Sequence, residues 1–222
     1  MKTHFHFQLK NSNPMSKVFI VSIALISTFV FFSFKVNKIH TDVYTVDAAQ
    51  SSLEWFAESA TGKHNGVLKF DGGDIKNNHG HINGSFEFDM NSIENKDMKP
   101  GKKKTKFETL LKSEDFFSAE IFPKSKFVIV ELTPIKDAVK GGNTHNVRGL
   151  LTIKDKTNEI SFDAIFNMKG KEATCSGSVV VDRTKFDIKY GSKTFFPNIG
   201  DKMISDDFTL KFNVVAVNNQ GH

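Results

Sequence analysis

Apolar and polar positions alternate one by one along most of this chain. Ile82, Gly84, Phe86, Phe88 and Met90 share one phase, and His81, Asn83, Ser85, Glu87 and Asp89 take the other. Ile160, Phe162, Ala164, Phe166 and Met168 repeat the pattern against Ser161, Asp163 and Asn167. Near the end Phe208, Leu210, Phe212, Val214 and Ala216 alternate with Asp207, Thr209, Lys211 and Asn213. A period of two predicts antiparallel strands with one wet face. Weaker alternation predicts further strands over 43–47, 53–57, 67–71, 127–132, 147–153 and 173–181. Turn residues punctuate them at Asp71-Gly72-Gly73, Lys76-Asn77-Asn78, Gly141-Gly142-Asn143 and Lys169-Gly170-Lys171. Helical spacing is confined to Phe107, Leu110 and Leu111, so short helical segments belong in loops.

One apolar face recurs through eight or nine strands, without the cues of a second sheet. The expected fold is therefore all-β, an antiparallel barrel of about eight strands over residues 41–218, with a short tail at 219–222. Closure removes the edges through which such strands would otherwise pair between molecules.

Ahead of the strands, residues 18–34 are uncharged and mostly apolar, between Lys17 and Lys35. That layout fits a secretory signal within residues 1–40, yet the run is just long enough for a membrane anchor and no clean cleavage site follows it. Both readings stay open, as does a start at Met15 instead of Met1. Either one predicts an exported body, periplasmic or secreted, with membrane association if the leader is retained.

Charge separates the leader from the body. The chain has 30 Lys+Arg and 25 Asp+Glu, and four of the bases but no acid fall within residues 1–35, leaving 26 against 25. A near-neutral body argues against nucleic acid as a partner. The basic run from Lys99 to Lys106, around Pro100-Gly101, reads as a solvated turn. Cys175 is the one cysteine, so there is no disulfide framework and no thiolate metal cluster; its strand phase makes it a small buried filler. His79 and His81 read as a polar outer face, and no metal site is expected.

Phenylalanine is the unusual count, 23 against 2 Tyr and 1 Trp. Rings without a polar tip can fill a core, or can wall a dry tube for an acyl or isoprenoid chain. The pattern alone leaves both open.

Two segments add to this. LLKSEDFFSAEIFPKSKF (110–127) puts Phe116, Phe117, Ile121 and Phe122 into a charged, proline-broken connection, where rings are expected to lie over a barrel end as a partial lid. VDRTKFDIKYGSKTFFPNIGDKMISDDFTL (181–210) carries a long excursion, 190–204, that Arg183 or Lys202 is expected to pin through a neighbouring aspartate. Together they resemble the YceI family of secreted lipid-binding β-barrels, over about residues 43–217. The resemblance implies an elongated, lipocalin-like barrel whose apolar tunnel holds an isoprenoid, quinone or fatty chain. It implies that Leu53, Trp55, Phe70, Phe86, Phe88, Phe127, Ile129, Phe162, Phe166 and Phe208 line that tunnel, and that Phe116, Phe117 and Phe122 close one end. It also implies that His64, in a Gly-Lys-His turn, meets a headgroup. The chain departs from the family at Gln50 and Leu110, where histidine is often found.

No nucleophile elbow, phosphate loop or zinc motif is present in the sequence. The expected function is an exported, non-catalytic carrier or sequestering protein for an amphiphilic lipid, requiring no cofactor. The alternatives are an interaction domain with a side-chain-filled core and, after it, a lipid-modifying enzyme. Whether two chains pair as a homodimer is left open.

Overall fold

The structure, a computed structural model, describes residues 41–219. The expected signal or anchor within residues 1–40 lies outside the described residues. The strands are β1 (Thr41–Val46), β2 (Ser52–Ser59), β3 (Gly62–Asn78), β4 (His81–Asn95), β5 (Lys124–Pro134), β6 (His145–Ile153), β7 (Lys156–Lys169), β8 (Glu172–Asp182) and β9 (Ile204–Val217). One α-helix, α1 (Lys102–Lys112), and short 3-10 turns at Arg183–Phe186 and Gly200–Lys202 complete the described residues. All ladders are antiparallel, and the β3–β4 pairing closes the sheet on itself.

Nine strands make an eight-position barrel because β1 and β2 share one position. β1 pairs with the far half of β3 and the last residues of β9, and β2 pairs with the near half of β3 and the rest of β9. Between them the chain steps aside at 47–51. The Asp47 carboxylate accepts from the Ala49 and Gln50 backbone N–H (2.9 and 3.2 Å) and from the Gln50 side chain (2.7 Å). Ser51 Oγ fills the gap in the ladder, accepting from Val215 N–H at 3.0 Å and donating to Val215 O at 3.3 Å. The Asp47, Ala49, Gln50 and Ser51 backbone N–H groups at the break, and Val215 N–H opposite it, thus find local partners.

Two expected turns are absent. Asp71-Gly72-Gly73 lies inside β3, where the register shifts between Phe70 and Gly72. This bulge moves the inward phase from Phe70 to Ile75, so one strand of continuous length reads in sequence as a strand followed by a turn. Lys76-Asn77-Asn78 also belongs to β3, and the hairpin turns one step later, at His79-Gly80, both with positive φ (51° and 88°). The basic run also differs from the expected solvated turn. Lys102 opens α1 rather than extending a turn, with Gly101 (φ 149°) leading into the helix. Lys104 reaches Glu94 of β4 at 3.2 Å, so this lysine docks the helix on the barrel.

Rings fill the middle of the barrel. Phe86, Phe127, Phe162 and Phe212 form a belt across β4, β5, β7 and β9, with successive centroids 6.4, 5.7 and 5.4 Å apart. Gly149 admits the belt: a Cβ there would collide with the Phe127 ring. Beyond the belt, buried Tyr44, Ile75, Ala164, Phe166, Ala173 and Ala216 fill the end that carries the β3–β4 and β7–β8 turns. The other end, where α1 and the 183–203 segment lie, is hollow.

Candidate functional site

The hollow end holds a cavity of about 380 Å³. Its apolar wall comes from inward positions of five strands, Leu53 and Trp55 of β2, Leu68 of β3, Phe88, Met90 and Ile93 of β4, Leu151 and Ile153 of β6, and Phe208 and Leu210 of β9, and β5 adds the buried Ser125. Phe107, Leu110 and Leu111 of α1 cover one side, with Phe116 and Phe117 following; Tyr190, Met203 and Ile204 cover the other. The helix forms here because its apolar spacing of three and four puts those three side chains on one face over the opening. Gly66, opposite Trp55 in the β2–β3 ladder, leaves space for the indole, which a Cβ would meet at 2.5 Å.

Below this chamber the void narrows to about 70 Å³ within the ring belt. Leu53, Phe88, Leu151 and Leu210 border both spaces and form the partition between them. The continuous tunnel expected from sequence is therefore a mouth chamber above a nearly solid middle. Strand phase tells which residues point inward, but not whether opposing rings meet across the barrel.

Polar groups gather at the mouth: Glu58, Ser59, Thr61, His64, Asp201, Lys202 and Ser205. His64 is a strand residue of β3 rather than a turn residue, paired with Ala57. Its Nδ1 lies 2.8 Å from Asp97 Oδ2 and its ring packs at a tilt against Phe107, with the centroids 4.8 Å apart. An ionised carboxylate only accepts, so Nδ1 carries the proton, and Nε2 is the ring nitrogen not engaged by Asp97. Burial pushes the Asp97 carboxyl up, but the Asn65 N–H, His64 and Asn95 outweigh it and hold the group below its ordinary value. The Trp55 indole N–H is buried and has no hydrogen-bond partner among the described residues.

Arg183 also borders the chamber, yet all its donors are committed. Nε donates to Ser205 O (2.8 Å), Nη1 to Ile188 O (2.7 Å) and Tyr190 O (2.8 Å), and Nη2 to Ile204 O (3.0 Å) and Asp206 Oδ1 (3.4 Å). Its guanidinium lies 5.6 Å from the Phe116 ring centroid. The expectation that Arg183 pins the 190–204 excursion holds, mostly through carbonyls rather than through an aspartate.

The sequence-derived residues divide by position. Leu53, Trp55, His64, Phe88, Phe116, Phe117 and Phe208 border the mouth chamber. Phe70, Phe86, Phe127, Ile129 and Phe162 border the narrow space, together with Leu53 and Phe88. Phe122 and Phe166 border neither, and Ile121 is 60% exposed. Leu68, Met90, Ile93, Leu151, Tyr190 and Ile204 border the chamber without having been singled out from the sequence. The phase of β9, which gave Phe208, also contains Leu210; the bulges hid Leu68 and Ile93. Of the two departures, Gln50 serves the break between β1 and β2, whereas Leu110 puts an apolar group on the chamber wall.

Cys175 is buried against the ring belt, and burial pushes its thiol up to about 12. The expected result is no reaction with an aromatic disulfide reagent at pH 8 until the chain unfolds. The unfolded thiol ionises near its ordinary value of 9.0 while the folded one keeps its proton. Stability from the neutral thiol is whole below pH 9 and is lost as pH climbs towards 12, by about 1.4 kcal/mol per pH unit. Denaturant titrations of the parent and Cys175→Ala at several alkaline pH values should show this slope only in the parent; equal slopes would refute it.

A family model described as YceI-like domain matches residues 44–216. No curated protein matches the chain. Among solved structures, BcnA of Burkholderia cenocepacia is 23% identical, with 78% of this chain and 99% of that one covered and a TM-score of 0.59. A polyisoprenoid binding domain from Saccharophagus degradans, implicated in plant cell wall breakdown, is 12% identical over 79% of this chain and 98% of that one, with a TM-score of 0.56. At these identities the likeness is one of fold.

Proposed function

The chain belongs to the YceI-like family, and from that premise we propose that it is an exported, non-catalytic carrier or sequestering protein for an amphiphilic lipid. The observation that carries this reading is the chamber of about 380 Å³, walled by apolar side chains and rimmed by polar ones. That volume lies in the range of about 300–1,000 Å³ that ligand sites occupy. The fold shared with a polyisoprenoid binding domain supports the same class of guest, an isoprenoid, quinone or fatty chain.

The energetics are sufficient. A buried methylene contributes roughly 0.8 kcal/mol, so a five-carbon isoprene unit contributes about 4 kcal/mol at most. A few units offset the roughly 4–15 kcal/mol that association costs. Burial of this kind selects length and width, while the His64 Nε2 and the mouth hydroxyls are placed to meet a headgroup. A non-catalytic role fits the way Arg183 and the His64 Nδ1 are engaged by the scaffold. Export to the periplasm or beyond is part of the proposal and follows from the apolar run at 18–34.

The filled middle of the barrel favours a second reading, an interaction domain whose rings are simply core. Solvent extraction of the purified chain followed by mass spectrometry separates the two. The carrier predicts a recovered amphiphile, and predicts that added farnesol or a short-tailed quinone changes the fluorescence of Trp55, the single tryptophan and a chamber wall. Recovery of nothing, together with an unaltered Trp55 signal, would establish the second reading.

A further inference from the structure

The 188–200 segment beside the mouth presents an apolar tip that no described part of the fold covers. Tyr190, Phe195 and Phe196 are 43%, 43% and 51% exposed. Soluble surfaces seldom cluster rings this way without a partner. The loop cannot turn these rings inward easily, because its neck is fixed. Arg183 holds the Ile188 and Tyr190 carbonyls on one side and those of Ile204 and Ser205 on the other. Ile204 N–H donates to Gly191 O at 2.8 Å across the neck. Within the loop, Phe196 N–H donates to Ser192 O and Ile199 N–H to Phe196 O, which sets the ring-bearing turn.

Charge points to what covers the tip. Residues 188–200 contain Lys189 and Lys193 and no acid, although Asp187 pairs with Lys189 and Asp201 follows the loop. The Lys189 ammonium also sits 5.1 Å from the Phe195 ring centroid. Aromatic rings interleaved with lysines suit the boundary between lipid headgroups and acyl chains, where rings enter and ammonium groups stay among phosphates. The patch is continuous with the mouth, since Tyr190 belongs to both and its ring lies 6.2 Å from that of Phe116.

We propose that this loop docks the mouth of the barrel onto an anionic lipid bilayer, so that a guest passes between bilayer and chamber without crossing water. The proposal rests on the carrier reading above and names where the guest comes from or goes.

The test uses residues 41–222, within which strands β1 to β9 close the whole ring among themselves, and begins with a far-UV spectrum and a cooperative thermal transition that establish the fold of this fragment. Flotation with phosphatidylglycerol–phosphatidylcholine vesicles is expected to carry the protein up, and pure phosphatidylcholine to carry less. The double variant Phe195→Ser/Phe196→Ser is expected to bind the anionic vesicles about tenfold more weakly or worse. Its far-UV spectrum and its Trp55 response to farnesol should match the parent's, because neither ring borders the chamber. Vesicle binding that the variant retains in full, or that the parent lacks, overturns the docking proposal. A parent whose Trp55 ignores farnesol, but whose vesicle binding still depends on both rings, supports docking and refutes the carrier reading instead.

Discussion

Replacing Arg183 with Met is expected to cost the folded protein about 3–5 kcal/mol, the loss typical of removing one partner from a buried charged network. The side chain is 3% exposed and joins two segments that are distant in sequence, 188–190 and 204–206. Methionine replaces the aliphatic stem but stops short of the guanidinium and donates nothing, so four carbonyls lose their donors in a place water reaches poorly. Asp206 loses its cationic neighbour and the Phe116 ring loses the guanidinium above it. For a domain of this size the loss should lower Tm by about 6–20 °C. Lysine should recover little, because three donors on a flexible stem cannot reproduce a planar fork that reaches carbonyls on both sides. A second effect separates this clamp from an ordinary core residue. The 188–204 segment covers the chamber, so guest release, followed through Trp55 well below the midpoint, should quicken more than the unfolded fraction explains. An unchanged Tm would show that the clamp is dispensable; an unchanged release rate would show that the cover opens elsewhere.

The same clamp shows what the sequence could and could not carry. Alternation placed the long strands well because period two reports one face directly, as in β4, β7 and β9. It failed wherever a bulge changed phase within a strand. Read from sequence, β3 is confined to 67–71, under a third of the observed Gly62–Asn78, since Asp71-Gly72-Gly73 carries turn chemistry but acts as a bulge, and only the partner strand reveals which. The division of one barrel position between β1 and β2 was equally hidden, because alternation along either piece is silent on which strand it joins. The lysines at 102–106 are helical for another reason: helix propensity and docking of Phe107, Leu110 and Leu111 outweigh the unfavourable basic start. The excursion held by Arg183 was legible as a need for a tether, but not as carbonyl capture, which depends on where backbone oxygens converge. Least legible was the filling of the interior. Phe86, Phe127, Phe162 and Phe212 look alike in sequence whether they line a tunnel or touch across it, and ring-to-ring distances of 5.4–6.4 Å decide for contact.

That filling makes the partition the place where guest length is set. Leu151 is buried, borders both the mouth chamber and the narrow space, and stands with Leu53, Phe88 and Leu210 between them. Leu151→Ala removes three carbons from the partition, and the expected stability loss is about 2–5 kcal/mol. The same vacancy should join the two voids and admit more of an acyl or prenyl tail. If two further methylenes enter, at roughly 0.8 kcal/mol each, affinity for a longer guest rises about tenfold. Affinity for a guest that already ends above the partition should stay where it is or fall slightly, since the lost wall contact is not replaced. The measurement is a Trp55 fluorescence titration with fatty acids or prenols of increasing length, on parent and variant at a temperature where both are folded. The parent's affinity should level off at a length that the variant exceeds. A uniform shift at all lengths would mean that the ring belt, not Leu151, limits the depth of entry. Phe127, 9% exposed and in ring contact with both Phe86 and Phe162, would then be the residue on which the limit turns.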